Sequence, residues 1–134
     1  MIFFDTNIFV YAVSGAEDDR PRKDIALRLM AGTDFALSIQ IIQEFMDVTL
    51  RKKHLGLTVA EISEMISLLA TYPMVETTLP LARRAFDLKN RHMIRYWDAS
   101  ILAAAQELGC HTLYTGDLNH GQDYDAVKAI NPFL

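Results

Sequence analysis

Ile2-Phe3-Phe4 runs directly into Asp5-Thr6-Asn7 at the start of the chain, and Ile8-Phe9-Val10-Tyr11 then resume the apolar pattern. A strand covered on both faces needs no polar alternation, so this opening run reads as a central, buried strand over residues 2–5. Asp5 then stands at the strand's carboxyl end. Open α/β sheets bind ligands along that edge, so any other acid arriving there is a candidate partner for Asp5.

Downstream, short apolar strands alternate with helices. Asn7 to Val13 reads as a short helix closed by Ser14-Gly15, and residues 16–22 as a polar loop. A helix from about Pro21 to Ala31 turns Ile25, Leu27, Leu29 and Met30 inward. Phe35–Leu37 is a second strand, and Ser38 an N-cap for a long helix running to about His54, with Gly56 beyond it. Thr58 and Glu61 have capping-box spacing and open a helix to about Ala70. Met74–Glu76 is a third strand, and Pro80 fits the first turn of a helix to about Arg91. A further helix covers Trp97 to Leu108, followed by a fourth strand over 111–114. The turn-rich Leu118–Asp125 precedes a last strand over Ala126–Ile130. This alternation predicts an α/β fold with a central parallel sheet of four to five strands. With no repeat, low-complexity tract or dividing linker, residues 1–134 read as a single domain.

Composition narrows the function classes. The chain has 134 residues, 51% hydrophobic and 22% charged, which is ordinary for a soluble domain with a sizeable core. No apolar run is long enough to span a bilayer, and the N-terminus lacks the pattern of an export signal. Cys110 is the lone cysteine, so no internal disulfide forms, in keeping with a reducing cytoplasm; it reads as a small buried residue. The net charge of −4 argues against a general nucleic-acid binder, unless several acids surround a cation that cancels them locally. Basic residues occur in clusters: Arg20, Arg22 and Lys23; Arg51, Lys52, Lys53 and His54; Arg83 and Arg84; Lys89, Arg91, His92 and Arg95.

Two acids stand where helical periodicity calls for apolar side chains. Ile41, Glu44, Phe45 and Val48 share one stripe, as do Asp98, Ile101, Leu102 and Ala105. An unpaired buried carboxylate costs several kcal/mol, so each needs a base, a shared proton or a metal. Taken singly, each acid has a plain structural reading. Asp98 could cap its helix, Glu44 could pair with Arg51 or Lys52, and Asp5 and Asp117 could form turns after strands. Taken together, Asp5 and Asp117 each follow a strand, while Glu44 and Asp98 lie early in helices that begin at the same sheet edge. Four acids converging there would repel one another unless a cation held them. Oxygen donors without Cys/His ligand spacing point to Mg²⁺ or Mn²⁺ rather than zinc. Asp47, one turn beyond Glu44, falls off the stripe.

Asp5-Thr6-Asn7 after a hydrophobic strand, the helical Glu44, Tyr96-Trp97-Asp98-Ala99 and Leu113-Tyr114-Thr115-Gly116-Asp117 occur in the order found in the PIN-domain nucleases, which this chain resembles along essentially its whole length. Its tail, Asp117-Leu118-Asn119-His120-Gly121-Gln122 through Asn131-Pro132-Phe133, resembles the VapC-type toxins of bacterial toxin–antitoxin pairs. The resemblance implies a three-layer αβα sandwich, a Mg²⁺-dependent endoribonuclease, a homodimer, and neutralisation by a small antitoxin protein. By position, Asp5, Glu44, Asp98 and Asp117 match the family's acidic quartet, with no departure at any of the four, and Asn7 and Thr115 match supporting positions.

The expected mechanism is attack by water on an RNA phosphodiester, leaving 5′-phosphate and 3′-hydroxyl ends. Asp5, Asp98 and Asp117 would ligate the metal, Glu44 would hold or deprotonate the water, and Thr6, Asn7 and Thr115 would orient the carboxylates. Arg20, Arg22, Lys23, Arg51 and Lys52 are candidate phosphate contacts, with Tyr96, Trp97 and His120 as base neighbours. The broad apolar face of the 58–70 helix either docks on the sheet or forms a groove for an antitoxin helix. Other readings are a PIN-type RNA-processing nuclease without an antitoxin, a phosphoacceptor signalling domain, and a non-catalytic RNA-binding protein. No lysine follows the last strand as the signalling reading requires.

Overall fold

The computed structural model describes residues 1–134. Six strands form one sheet: β1 (Ile2–Phe4), β2 (Phe35–Ser38), β3 (Met74–Val75), β4 (Thr112–Tyr114), β5 (Asp123–Tyr124) and β6 (Val127–Ile130). Their spatial order is β3-β2-β1-β4-β6-β5. The first five in that order pair in parallel, and β5 lies antiparallel against β6. The helices are α1 (Thr6–Val13), α2 (Arg20–Gly32), α3 (Ile39–Arg51), α4 (Val59–Leu69), α5 (Leu79–His92) and α6 (Tyr96–Glu107). α1 packs against α2 and α3, and α4 against α3, while α5 and α6 pack on each other and α6 lies across β2, β4 and β6. The expected αβα sandwich around a central parallel sheet is the fold observed.

β1 is central because Phe3 and Phe4 are wholly buried between its two parallel neighbours. Burial of each such side chain stabilises by roughly 1.5–3 kcal/mol. Phe4 stacks on Phe35 of β2 at 4.6 Å and on Tyr114 of β4 at 5.6 Å, so aromatic contacts reinforce both pairings. From β1 the chain steps outward through β2 and β3, then crosses back to β4 on the other side of β1. The sheet's direction of winding therefore reverses between β1 and β4, and a crevice opens beyond their carboxyl ends.

Several local expectations shift. β1 ends at Phe4, because Asp5 leaves the strand to cap α1. Residues 16–22 are not a loop: a 3₁₀ turn over Glu17–Asp19 leads into α2 at Arg20. On α2, Ala26 is the fully buried residue and Leu27 is exposed, since a small side chain lets this helix lie close against α1. α3 stops at Arg51, and a separate 3₁₀ turn, Lys53–Leu55, buries Leu55 ahead of Gly56 in the left-handed conformation. The sheet has one strand more than expected, because Leu118–Asp125 contributes β5.

The expected caps form. Ser38 Oγ accepts from the Ile41 N–H at 3.4 Å, and Thr58 and Glu61 close a full capping box; Thr78, which the sequence reading did not single out, also caps α5, its Oγ1 accepting from the Leu81 N–H at 3.3 Å. α6 is buried from Asp98 through Ala105 on every side, not along one stripe. Ala99, Ser100 and Ala103–Ala105 make this possible, since small side chains admit α5 on one side and the sheet on the other. Cys110 is buried, as expected.

Candidate active site

The end of β1 presents Asp5, and three hydrogen bonds hold it there. Its N–H donates to Tyr114 O at 3.0 Å, carrying the β1–β4 pairing one residue past the strand. Its Oδ1 accepts from the Thr6 N–H at 2.6 Å as the N-cap of α1, and its Oδ2 accepts from Thr115 Oγ1 at 2.6 Å. Thr115 Oγ1 accepts in turn from the Asp117 N–H at 3.1 Å. Asp5 is 3% exposed, and this burial pushes its pKa up to about 7. The Thr115 and Thr6 hydrogen bonds pull the other way, and the charges of Asp117 and Glu44 raise it further.

Glu44 is half-buried on α3. Its Oε2 accepts from Thr6 Oγ1 at 2.7 Å and its Oε1 from Gln40 Nε2 at 3.0 Å. The same Gln40 amide donates to Trp97 O at 3.0 Å, tying α3 to the start of α6. Neither Arg51 nor Lys52 neutralises Glu44; Arg51 pairs with exposed Asp47 at 3.6 Å.

Asp98 lies in the first turn of α6 and is nearly buried. Its two oxygens receive a fork from one guanidinium: Arg95 Nε to Oδ2 at 3.1 Å and Nη2 to Oδ1 at 3.2 Å. Asp117 is exposed just past β4. Its pKa is raised, first by partial desolvation and then by Asp98, while Arg95 opposes the rise.

The acids do not share a single pocket. Asp5, Thr6, Asn7, Glu44 and Asp117 line a cleft of ≈ 250 Å³ with Arg95, Trp97, Val48 and Asp47. Asp98 faces an adjoining cleft of ≈ 400 Å³ with Met93, Ile94 and Leu118. Arg95 and Asp117 line both. As the side chains stand, no three His, Cys, Asp or Glu residues are gathered closely enough to hold an ion. The Asp98 carboxylate is turned to Arg95. The donor chemistry still suits a hard divalent cation: every acid offers oxygen, Asp5 and Asp117 are raised in part by their acidic neighbours, and Arg95 is the one basic residue lining either cleft.

The five basic residues expected at the site line neither of these clefts. Arg20 pairs with Glu17 at 3.7 Å, Arg22 lies over the Tyr11 ring, and Lys23 donates to Ser14 O at 2.8 Å. Arg51 is held by Asp47, and Lys52 borders a separate groove between α3 and α4. Sequence reasoning missed Arg95 and Gln40. Both carried a signal, since Arg95 stands three residues before Asp98 and Gln40 four before Glu44, the spacings at which helical side chains meet.

Residues 2–122 match the PIN domain family. The chain belongs to that family. Solved structures with the same fold include the toxin VapC20 of Mycobacterium tuberculosis, described as cleaving the sarcin-ricin loop. It is 19% identical, with a TM-score of 0.70 over 87% of this chain and 92% of that one. A toxin–antitoxin complex from Klebsiella pneumoniae is 22% identical, with a TM-score of 0.67 over 98% of both chains. FitAcB from Neisseria gonorrhoeae is 18% identical, with a TM-score of 0.69 over 99% of both chains. A comparison with curated proteins finds no match. In this PIN domain no helix is long and apolar enough to cross a membrane.

Proposed function

We propose that this PIN domain is a metal-dependent endoribonuclease and the toxin of a toxin–antitoxin pair. The observation that carries the reading is the gathering of Asp5, Glu44 and Asp117, from β1, α3 and the exit of β4, around one cleft at the sheet's switch point, with Asp98 adjacent. Asp5, Asp98 and Asp117 would hold Mg²⁺ or Mn²⁺. Such a cation supplies charge neutralisation at the phosphodiester and acidifies water beside it.

The chain's own groups do the rest. Glu44, fixed by Thr6 and Gln40, keeps lone pairs free on both oxygens and takes a proton from the attacking water. The water oxygen bonds to phosphorus as the bond to the 3′ oxygen breaks, and a proton returns to that leaving oxygen. The products are 5′-phosphate and 3′-hydroxyl ends. Thr6 and Thr115 orient Glu44 and Asp5, whereas Asn7, expected to do the same, is exposed with no side-chain hydrogen bond to a carboxylate and lines the cleft with Trp97, where both would face the RNA.

Partner surfaces are in keeping with the toxin reading. Val13, Leu57, Met65 and Leu68 form an apolar groove beside α4 edged by Glu61 and Glu64, suited to a basic amphipathic helix of a small antitoxin. On α5, Leu79 and Phe86 stand seven residues apart and are 65% and 60% exposed, an apolar patch suited to a second copy in a homodimer. The toxin–antitoxin complex of the same fold from Klebsiella pneumoniae supports a protein partner.

The test is cleavage of end-labelled RNA of mixed sequence with Mg²⁺, with EDTA, and by Asp5→Asn protein. Cleavage that requires both metal and Asp5 and leaves 5′-phosphate ends is the expected result. A 2′,3′-cyclic phosphate product, or undiminished cleavage by Asp5→Asn, overturns the mechanism. An antitoxin reading frame beside the gene separates the toxin from an RNA-processing nuclease.

A further inference from the structure

Arg95 is the N-cap residue of α6, with an extended backbone and no capping hydrogen bond from its side chain. Instead the side chain folds forward over the first turn to grip Asp98 with two hydrogen bonds. The partners differ sharply in setting, since the Arg95 side chain is 72% exposed and that of Asp98 is 8% exposed. The buried member is thus held in place by the helix and its packing, while the exposed member is free to swing into solvent. Arg95 also forms part of the wall common to the two clefts that divide the acids.

We infer that Arg95 is an exchangeable counter-ion: its fork holds the Asp98 carboxylate toward the adjoining cleft and gives way when Asp98 turns to join Asp5 and Asp117 around a cation. This rests on the proposed metal site and adds a positioning residue to it. An ion and the guanidinium then compete for the same carboxylate, so the fork weakens ion binding while sparing the ion-free protein an unpaired buried charge. The exchange also removes a basic group from the wall between the clefts, which is the step that lets the separated acids act on one ion.

The test is calorimetric titration of Mn²⁺ into wild-type, Arg95→Gln, Arg95→Lys, Arg51→Gln and Asp98→Asn proteins at one pH. Arg95→Gln is expected to bind Mn²⁺ about 3- to 10-fold more tightly than wild type, the range for an ion pair with one exposed partner. Arg95→Lys, which keeps the charge but cannot fork, should fall between the two, and Arg51→Gln, whose arginine touches Asp47 instead, should match wild type. In EDTA, Arg95→Gln should melt below wild type, and saturating Mn²⁺ should close that gap, because the ion replaces the lost counter-charge. Unchanged or weaker Mn²⁺ binding by Arg95→Gln, with binding lost in Asp98→Asn, overturns the counter-ion role alone. Arg95→Lys matching wild type while Arg95→Gln tightens overturns the fork in favour of bare charge. Undiminished binding by Asp98→Asn, or no binding by wild type, overturns the metal-site reading with it.

Discussion

Thr115 Oγ1 donates to Asp5 Oδ2 at 2.6 Å across 110 positions of sequence, joining the exits of β4 and β1 at the point where the sheet reverses direction. The same hydroxyl accepts from the Asp117 N–H, so one threonine holds two of the proposed ligands. Thr115→Val keeps the volume and removes both functions. Its hydrogen bond lowers the Asp5 pKa, so the substitution should raise it and move the rising limb of the pH–rate profile to higher pH. Cleavage should fall about 10- to 100-fold, as for other supporting partners of metal ligands, with about 1–3 kcal/mol lost in stability by denaturant unfolding.

Glu44 depends on Thr6 and Gln40 in a comparable way. Gln40→Leu leaves Glu44 with one donor and breaks the link from α3 to the Trp97 carbonyl. The expected result is a fall in kcat of about tenfold or more with a smaller change in KM, because the base is displaced rather than the substrate surface. Steady-state kinetics on a short RNA measures the split.

Stability should fall with rising pH when the protein is free of divalent ions. Asp5 is pushed from 3.8 to about 7 in the folded chain, so the folded state binds its proton more tightly than the unfolded state does. The stability this confers is complete below the unfolded value and is lost as pH rises through about 7, a contribution of at most about 4 kcal/mol. Asp117 is shifted in the same direction and adds to the slope. Thermal unfolding in EDTA from pH 4 to pH 8 should show this decline, and Asp5→Asn should flatten it. Mg²⁺ should raise the melting temperature more at pH 8 than at pH 5, where protons compete for its ligands.

The β5–β6 hairpin carries avoidable strain. Asp125 and Ala126 both have positive φ, 52° and 69°, the pattern of a tight hairpin turn that favours glycine. Asp125 is compensated by its ion pair with Arg91 and its hydrogen bond with His92, whereas Ala126 is exposed. Ala126→Gly should stabilise the protein by about 0.5–1 kcal/mol, readable as a higher denaturation midpoint.

Phe86 is the larger of the two exposed apolar residues on α5. Phe86→Glu should leave the melting temperature within a degree or two, since it removes no core contact, and should abolish the proposed homodimer, read as a monomer by sedimentation.

Much of this protein follows from local sequence alone. The apolar run Ile2–Phe4 required a strand buried on both faces, Ser38, Thr58 and Pro80 marked helix starts, and Asp5 and Asp117 had to emerge at the carboxyl ends of their strands. Those features depend on spacing and backbone chemistry within a few residues. Glu44 and Asp98 were legible because a charge interrupts an apolar stripe. β5 was not legible: two residues pairing with β6 leave no periodic trace, and only the partner strand defines them. The identity of each acid's partner was equally hidden, because Thr6 meets Glu44 and Thr115 meets Asp5 only after distant segments pack. Arg95 shows the division most clearly. Sequence placed it three residues from Asp98, but whether its long side chain turned outward to solvent or back onto that carboxylate was decided by the tertiary structure, which buried Asp98 and left it needing a counter-charge.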